Sequence, residues 1–335
     1  MKKGFGISLL LIACVIVSFS LAEAKMTVKY GHVGPPVHGQ HKGALAFAKF
    51  VAEKTNGEIE VQVFPLGQLG GERSMAEQVQ AGTLHMAAVT TAVLSNFIPQ
   101  LAVFDLPFIY PDRETAYKAL ADKEVQERFF KLCEPKGFVA IGYTENEFRD
   151  ITNSKRPIRK PEDLKGLKIR LMESPVYLDT FRTLGANPVP LPFPEIYNAL
   201  QQKVIDGQDN PLYTSVLMKF IEVNKYATLT QHICTECYTI VTKSLWDSLK
   251  PDQQKIFREA AEVQIKVNRE ENAKDLQGGL DKAKAAGVEI ITLTAGEREA
   301  FKKAVKPVYD KYRDVIGAEL YEFYMKKIES HSKRK

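Results

Sequence analysis

From Met26 onward the apolar residues switch repeatedly between the two-residue alternation of strands and the three-to-four-residue spacing of helices. MTVKYGHV (26–33) alternates as a strand, and Ala44, Phe47, Ala48 and Val51 then share one helical face. EIEVQVFP (58–65) alternates again and ends in a glycine-rich turn, Gly67 to Gly71. Glu72 to Ala81 reads as a helix with an acid in its first turn, as the helix dipole prefers, and Leu84 to Thr91 as a third strand. This β-α-β-α-β opening is the first unit of a parallel sheet with right-handed crossovers, so the expected class is α/β. A second unit follows the strand 138–144: strand 167–171, helix 175–184, strand segment 188–193 and a helix from Pro194 to about Val204. No Gly/Ser-rich linker separates the units, which predicts two lobes that exchange strands near residue 146 and again in the strand 231–241. From Pro251 to about Ala286, Ile256, Ala260, Val263 and Val267 form one stripe of a helix long enough to brace both lobes. A strand at 288–293 and two helical segments close the chain.

The first 24 residues set two lysines before an apolar run and end on Ala22-Glu23-Ala24, the pattern of a secretory signal peptide cleaved after about Ala24. Lipid attachment at Cys14 is the rival, disfavoured because Val15 to Leu21 continue the apolar run past that cysteine. The remainder is long enough for two lobes with a core each. The domain expectation is residues 25–146 plus about 236–275 for lobe 1 and 147–235 plus about 276–335 for lobe 2, with a ligand cleft between them. A net charge of +5, scattered along the chain, gives no footprint for nucleic acid. Cys234 and Cys237 lie three apart on a strand, roughly 10 Å apart and facing opposite ways, so free thiols are expected. Their Cys-x-x-Cys has no second ligand pair, and no metal or other cofactor is expected. His32, His38 and His41 cluster in sequence; the spacing of His38 and His41 predicts a surface face of the helix. The chain carries no Gly-x-Ser-x-Gly elbow, His-Glu-x-x-His, phosphate loop or dinucleotide fingerprint, so binding without catalysis is expected.

In the strand 167–171, Leu167, Ile169 and Leu171 share one face and Arg170 points the other way, near the carboxyl end where α/β folds place ligand clefts. A guanidinium there offers a planar fork for a carboxylate. On this residue alone, an exposed arginine at a solvated edge explains the pattern as well.

Four segments in order change that balance: Ile169-Arg170; Gly185-Ala186-Asn187-Pro188-Val189-Pro190; Pro194-Glu195-Ile196-Tyr197-Asn198-Ala199-Leu200-Gln201; and Val204-Ile205-Asp206-Gly207-Gln208-Asp209-Asn210-Pro211. Together with the Gln68-Leu69-Gly70 turn and Glu72-Arg73, Phe104-Asp105-Leu106-Pro107-Phe108 and the signal peptide, they resemble the substrate-binding subunits of TRAP transporters, the DctP-type extracytoplasmic receptors. The resemblance spans nearly the whole mature chain. It implies the two-lobed periplasmic-binding-protein fold, a periplasmic location, a small organic acid as ligand (mono- or dicarboxylate, keto or sugar acid) and a TRAP-type membrane permease as partner. By the same resemblance Arg170 is the main carboxylate anchor, Arg149 a second arginine, and Asn210 an amide donor to the ligand. Phe193 matches a pocket-wall aromatic, and His232 a polar residue on the crossing strand. Where the sialic-acid branch carries an acid this chain has Thr90, and where that branch has Asn it has Val33 beside His32, which disfavours sialic acid. Glu72, Glu173 and Tyr213 are expected to shape the rest of the pocket. The alternatives are a binding protein of an ATP-driven importer or a sensor and, further off, an exported enzyme.

Overall fold

The structure, a computed structural model, describes residues 25–332; the signal peptide with Cys14 and the last basic residues lie outside them. Two sheets form two lobes. The first comprises β1 (Met26–Gly31), β2 (Ile59–Phe64), β3 (Met86–Thr90) and β4 (Phe138–Phe148). The second comprises β5 (Asp150–Asn153), β6 (Lys168–Leu171), β7 (Asn187–Pro190), β8 (Gly207–Asn210) and β9 (Tyr226–Leu229). The chain then returns to the first sheet as β10 (Cys234–Thr242) and to the second as β11 (Glu289–Thr292). The orders are β2-β1-β3-β10-β4 and β11-β9-β5-β8-β6-β7. β1 runs parallel to β2 and β3, as the opening pattern requires, and β10 lies antiparallel between β3 and β4. β3 is apolar without alternation because both faces are covered: Met86 and Ala88 join one core, Ala87 and Val89 the other.

The strands change sheets side by side. β4 becomes β5 across the single residue Arg149, and β9 becomes β10 across Thr230 to Ile233. The Arg149 N–H donates to the Ile233 carbonyl at 2.9 Å and the His232 N–H to the Arg149 carbonyl at 3.2 Å, so the crossings are stitched together. Each has a residue at positive φ, Glu147 at 71° and Gln231 at 45°. That turn at Gln231 starts β10 three residues later than the alternation of 231–241 predicts. Cys133, Cys234 and Cys237 are buried free thiols.

The long helix, Pro251–Ala285, has 35 residues, about 52 Å at 1.5 Å per residue. It lies on helix Gly39–Lys54 and β4 of the first lobe and on helix Leu212–Leu217 and β11 of the second. Glycines set these approaches. A Cβ at Gly43 would stand 2.8 Å from the Gln264 carbonyl oxygen, and one at Gly279 would stand 2.7 Å from Tyr213 Cβ. Among the described residues no helix is long and apolar enough to cross a membrane.

Three helices close the chain, Ala295–Ala304, Lys306–Ile316 and Ala318–Ser332, where the sequence reading has two. The last of them, expected with lobe 2, packs on helix Arg113–Leu120 and the 3-10 turn Pro99–Asp105. The reason is aromatic: Tyr324 is fully buried edge-on against Phe104 and Phe129 of the first lobe's side. The middle helix touches both that turn and helix Pro175–Thr183, spanning the lobes. Gly43→Leu, which drives a side chain into the long helix, should cost about 1–3 kcal/mol in urea unfolding. Leu45→Ala on the exposed face of helix Gly39–Lys54 (Leu45 is 49 % exposed) should stay within about 0.5 kcal/mol.

Candidate functional site

β6 carries Arg170 to the lobe interface, flanked in register by Val189 of β7 and Gln208 of β8. Its guanidinium is buried, not exposed at a solvated edge. Nε and Nη2 donate to the Leu191 carbonyl at 2.8 and 2.6 Å, while Nη1 has no partner. Among the described residues no carboxylate stands within ion-pair distance of it. Burial first, then the neighbouring Arg149, pull its pKa down to about 10, against the opposing pull of Asp209. Arg170 therefore has a free donor edge and no directly paired carboxylate, although Asp209, Glu72 and Glu173 act on it from further away.

Arg149, on the sheet crossing, is buried as deeply but is matched. Its Nε donates to Asp209 Oδ2 at 2.6 Å, and Nη2 to Asp209 Oδ1 at 3.2 Å and Asn210 Oδ1 at 3.0 Å. The guanidinium also lies over the Tyr177 ring, 5.7 Å from its centroid, and again Nη1 has no partner. Burial pulls the Arg149 pKa down, but Asp209, Tyr177 and Glu72 together outweigh it and the net direction is up. For Asp209 burial acts upward and is overcome by Arg149 and His232, leaving the carboxyl far below its ordinary range. His232 Nε2 is 3.4 Å from Asp209 Oδ2, and its Nδ1 meets Thr230 Oγ1 at 2.7 Å. Asp209 and Asn210 belong to β8, Gly207-Gln208-Asp209-Asn210, a wholly buried strand of polar residues. Such a strand is stable only if its groups are satisfied. Gln208 donates to Thr152 Oγ1 at 2.7 Å and Ser215 Oγ at 3.0 Å, and Asn210 Nδ2 donates to Gln208 Oε1.

Across the cleft, Glu72 opens helix Glu72–Gln80 and is buried. Thr90, at the end of β3, donates its hydroxyl to Glu72 Oε2 at 2.6 Å. Burial raises the Glu72 pKa, partly offset by Thr90 and by the two arginines. The groups line a narrow cavity of about 30 Å³ between the lobes. Arg170, Arg149, Asn210, Phe193, Glu72, Thr90 and Glu173 all reach its wall.

His232, Tyr213 and His32 do not reach it, and each has a partner that holds it behind the wall. His232 sits against Asp209, Tyr213 is stacked on His38 at 5.3 Å between centroids, and His32 Nε2 meets His41 Nδ1 at 3.0 Å. Sequence reasoning misses Asn146, Thr214 and His38, which do line the cavity. His38 is no surface histidine. It caps helix Gly39–Lys54 by accepting from the Gln40 N–H, and it is buried against Tyr213 and Thr214, burial lowering its pKa to about 4. The position ahead of a helical pattern was the available clue, since an N-cap is fixed in place by its own hydrogen bond.

The chain matches the family described as "Bacterial extracellular solute-binding protein, family 7" (DctP) over residues 30–314. It is 34% identical over 291 residues to the 2,3-diketo-L-gulonate-binding periplasmic protein YiaO of Escherichia coli, covering 87% of this chain and 88% of that one. Among solved structures, a TRAP periplasmic solute-binding protein from Polaromonas bound to D-erythronate is 35% identical with a TM-score of 0.86, covering 90% of this chain and 98% of that one. Another from Sulfurospirillum deleyianum, with bound succinate, is 36% identical with a TM-score of 0.84, covering 91% and 99%.

Asp209→Asn leaves the Arg149 charge buried without its counter-ion and should cost about 3–5 kcal/mol at neutral pH. A carboxyl with a depressed native pKa binds fewer protons folded than unfolded, so its stabilisation is present above the unfolded pKa of about 4 and fades below it. Urea unfolding at pH 7 and pH 3 should therefore show the gap between wild type and Asp209→Asn narrowing in acid.

Proposed function

The chain belongs to family 7 of the bacterial extracellular solute-binding proteins, the DctP family, and from that membership we propose that it is the periplasmic receptor of a TRAP-type secondary transporter. It captures a small organic carboxylate between its lobes and delivers it to a membrane permease. One observation carries the carboxylate reading: Arg170 is a buried cation with a free Nη1, facing a cavity that Arg149 also enters with a free Nη1. A carboxylate placed between them accepts charge-assisted bonds from both and supplies the negative charge that Arg170 lacks. Asn210, its Oδ1 held by Arg149, keeps one amide hydrogen for the same ligand. Phe193 and Met172 close the apolar side.

Capture without conversion follows from where the donors sit. Arg170 and Asn210 belong to the second sheet, Glu72 and Thr90 to the first lobe, and Arg149 to the crossing between them. A ligand that touches all of them binds the closed arrangement better than an open one, and by that difference it shifts the equilibrium toward closure. The stitched crossings are the natural pivot. The long helix, resting on both lobes, ties their positions together, so that a permease distinguishes the loaded form by shape.

A thermal-shift screen of the mature protein with D-erythronate, galactonate, 2,3-diketogulonate and succinate should find at least one acid that raises the Tm. At a hundred times Kd the stabilisation is about 2.7 kcal/mol. Arg170→Ala should unfold cooperatively without ligand and show none of that shift, since losing charged hydrogen bonds at about 1.5–3 kcal/mol each weakens binding a hundredfold or more. An undiminished shift in Arg170→Ala would remove this residue as the anchor.

A further inference from the structure

His38 makes hydrogen bonds that only a neutral ring can make. It stands ahead of helix Gly39–Lys54 in the first lobe, lines the cavity and is buried. Its Nδ1 accepts the Gln40 N–H at 3.0 Å, so that nitrogen carries no proton. Its Nε2 lies 3.4 Å from Thr214 Oγ1, and its ring stacks on Tyr213 with 5.3 Å between centroids. Tyr213 and Thr214 belong to helix Leu212–Leu217 of the second lobe, just beyond Asn210 on the cavity wall. The contact therefore joins the two lobes at the edge of the cleft.

A proton on Nδ1 would break the helix cap and bury a cation. On its own side of the cleft stand Lys42, a like charge, and the paired rings of His32 and His41. The long helix, which meets Gly39 through Asn268 and Asn272, carries Asp275 and Glu271, the latter taken up by Lys42 at 2.5 Å. Helix Leu212–Leu217 presents Tyr213, with Glu147 acting on that phenol. Around the cavity are Glu72, Glu173, Arg149 and Arg170. None of these acids compensates a charge on His38: burial first, then Lys42, hold its pKa at about 4.

We propose that His38 is a positioning residue for ligand capture: as a neutral ring it clasps Tyr213 and Thr214 across the cleft and holds the lobes closed, and its protonation releases the clasp and the ligand. This rests on the carboxylate-receptor reading above and adds a pH dependence to it. When the lobes part, Tyr213 and Thr214 withdraw, the ring meets water and its pKa returns to about 6.5. A group whose pKa is lower closed than open favours closure fully above about 6.5 and loses that effect as the pH falls toward about 4. At pH 5 the open form is almost wholly protonated at His38, so affinity falls about twentyfold from its value at pH 7.5.

The test is isothermal titration of the mature protein at pH 7.5 and pH 5 with the four acids of the thermal-shift screen. In wild type the acid that binds best should lose about ten- to thirtyfold in affinity at pH 5. His38→Asn keeps a side chain that caps the helix and does not titrate, and its own loss should be at least about fivefold smaller. Titration of the ligand and of Glu72 is common to both proteins and cancels in that comparison. Followed by NMR, the wild-type His38 ring should titrate near pH 6.5 without ligand and below pH 5 with it. Equal pH dependence in wild type and His38→Asn, or a ring that titrates below pH 5 without ligand, overturns the clasp while leaving a carboxylate receptor in place. No heat with any of the four acids at pH 7.5, alongside a failed thermal-shift screen, overturns both.

Discussion

The buried ion pair between Arg149 and Asp209 ties the architecture to the site. Arg149 is the single residue between the two sheets, and Asp209 lies on β8 of the second. Two charges removed from water are expensive, and their attraction offsets that cost only with close geometry and further hydrogen bonds. Both conditions are met, by the paired donors of the guanidinium and by Asn210 and His232 around it. The pair locks the crossing strand to β8, and backbone bonds lock it to the other crossing through Ile233 and His232. Because Asp209 neutralises Arg149, the positive charge that remains in the cleft is that of Arg170.

Around this junction the polar groups are sorted by depth. Behind the wall lie Gln208 with Thr152 and Ser215, His232 Nδ1 with Thr230, and Tyr177 with Thr235 at 2.8 Å, while His232 Nε2 and the Tyr213 hydroxyl have no hydrogen-bond partner. On the wall stand those with capacity left over, the two Nη1 atoms above all. The paired groups hold one another rigidly, and that rigidity presents the cleft wall in one geometry. The glycine contacts of the long helix with both lobes extend the same rigidity outward.

Much of this was legible in the residues. Alternating periods at 26–33 and 58–65, then the helical stripe from Ile256 to Val267, report local geometry, and the strands and the long helix stand where they indicate. Arg170 stood out because an arginine interrupts an apolar strand near its carboxyl end. β8 was not legible as a strand. Gly-Gln-Asp-Asn has no apolar period, and its burial depends on partners from β5, β6 and helix Leu212–Leu217 that are far away in sequence. The packing of the final helix was not legible for a related reason, since Tyr324 finds its aromatic site on residues some 200 positions earlier.

The sequence by itself determined the class, the switch of strands between lobes and the presence of arginines suited to a carboxylate, because periodicity and residue chemistry are local properties. Only the tertiary structure decided which arginine is neutralised, which histidine faces the cleft and which acid is buried in the cleft wall. Those are questions of distance and burial, and each depends on a residue elsewhere in the chain: Asp209 for Arg149, Tyr213 for His38, and Thr90 with the second lobe's arginine for Glu72.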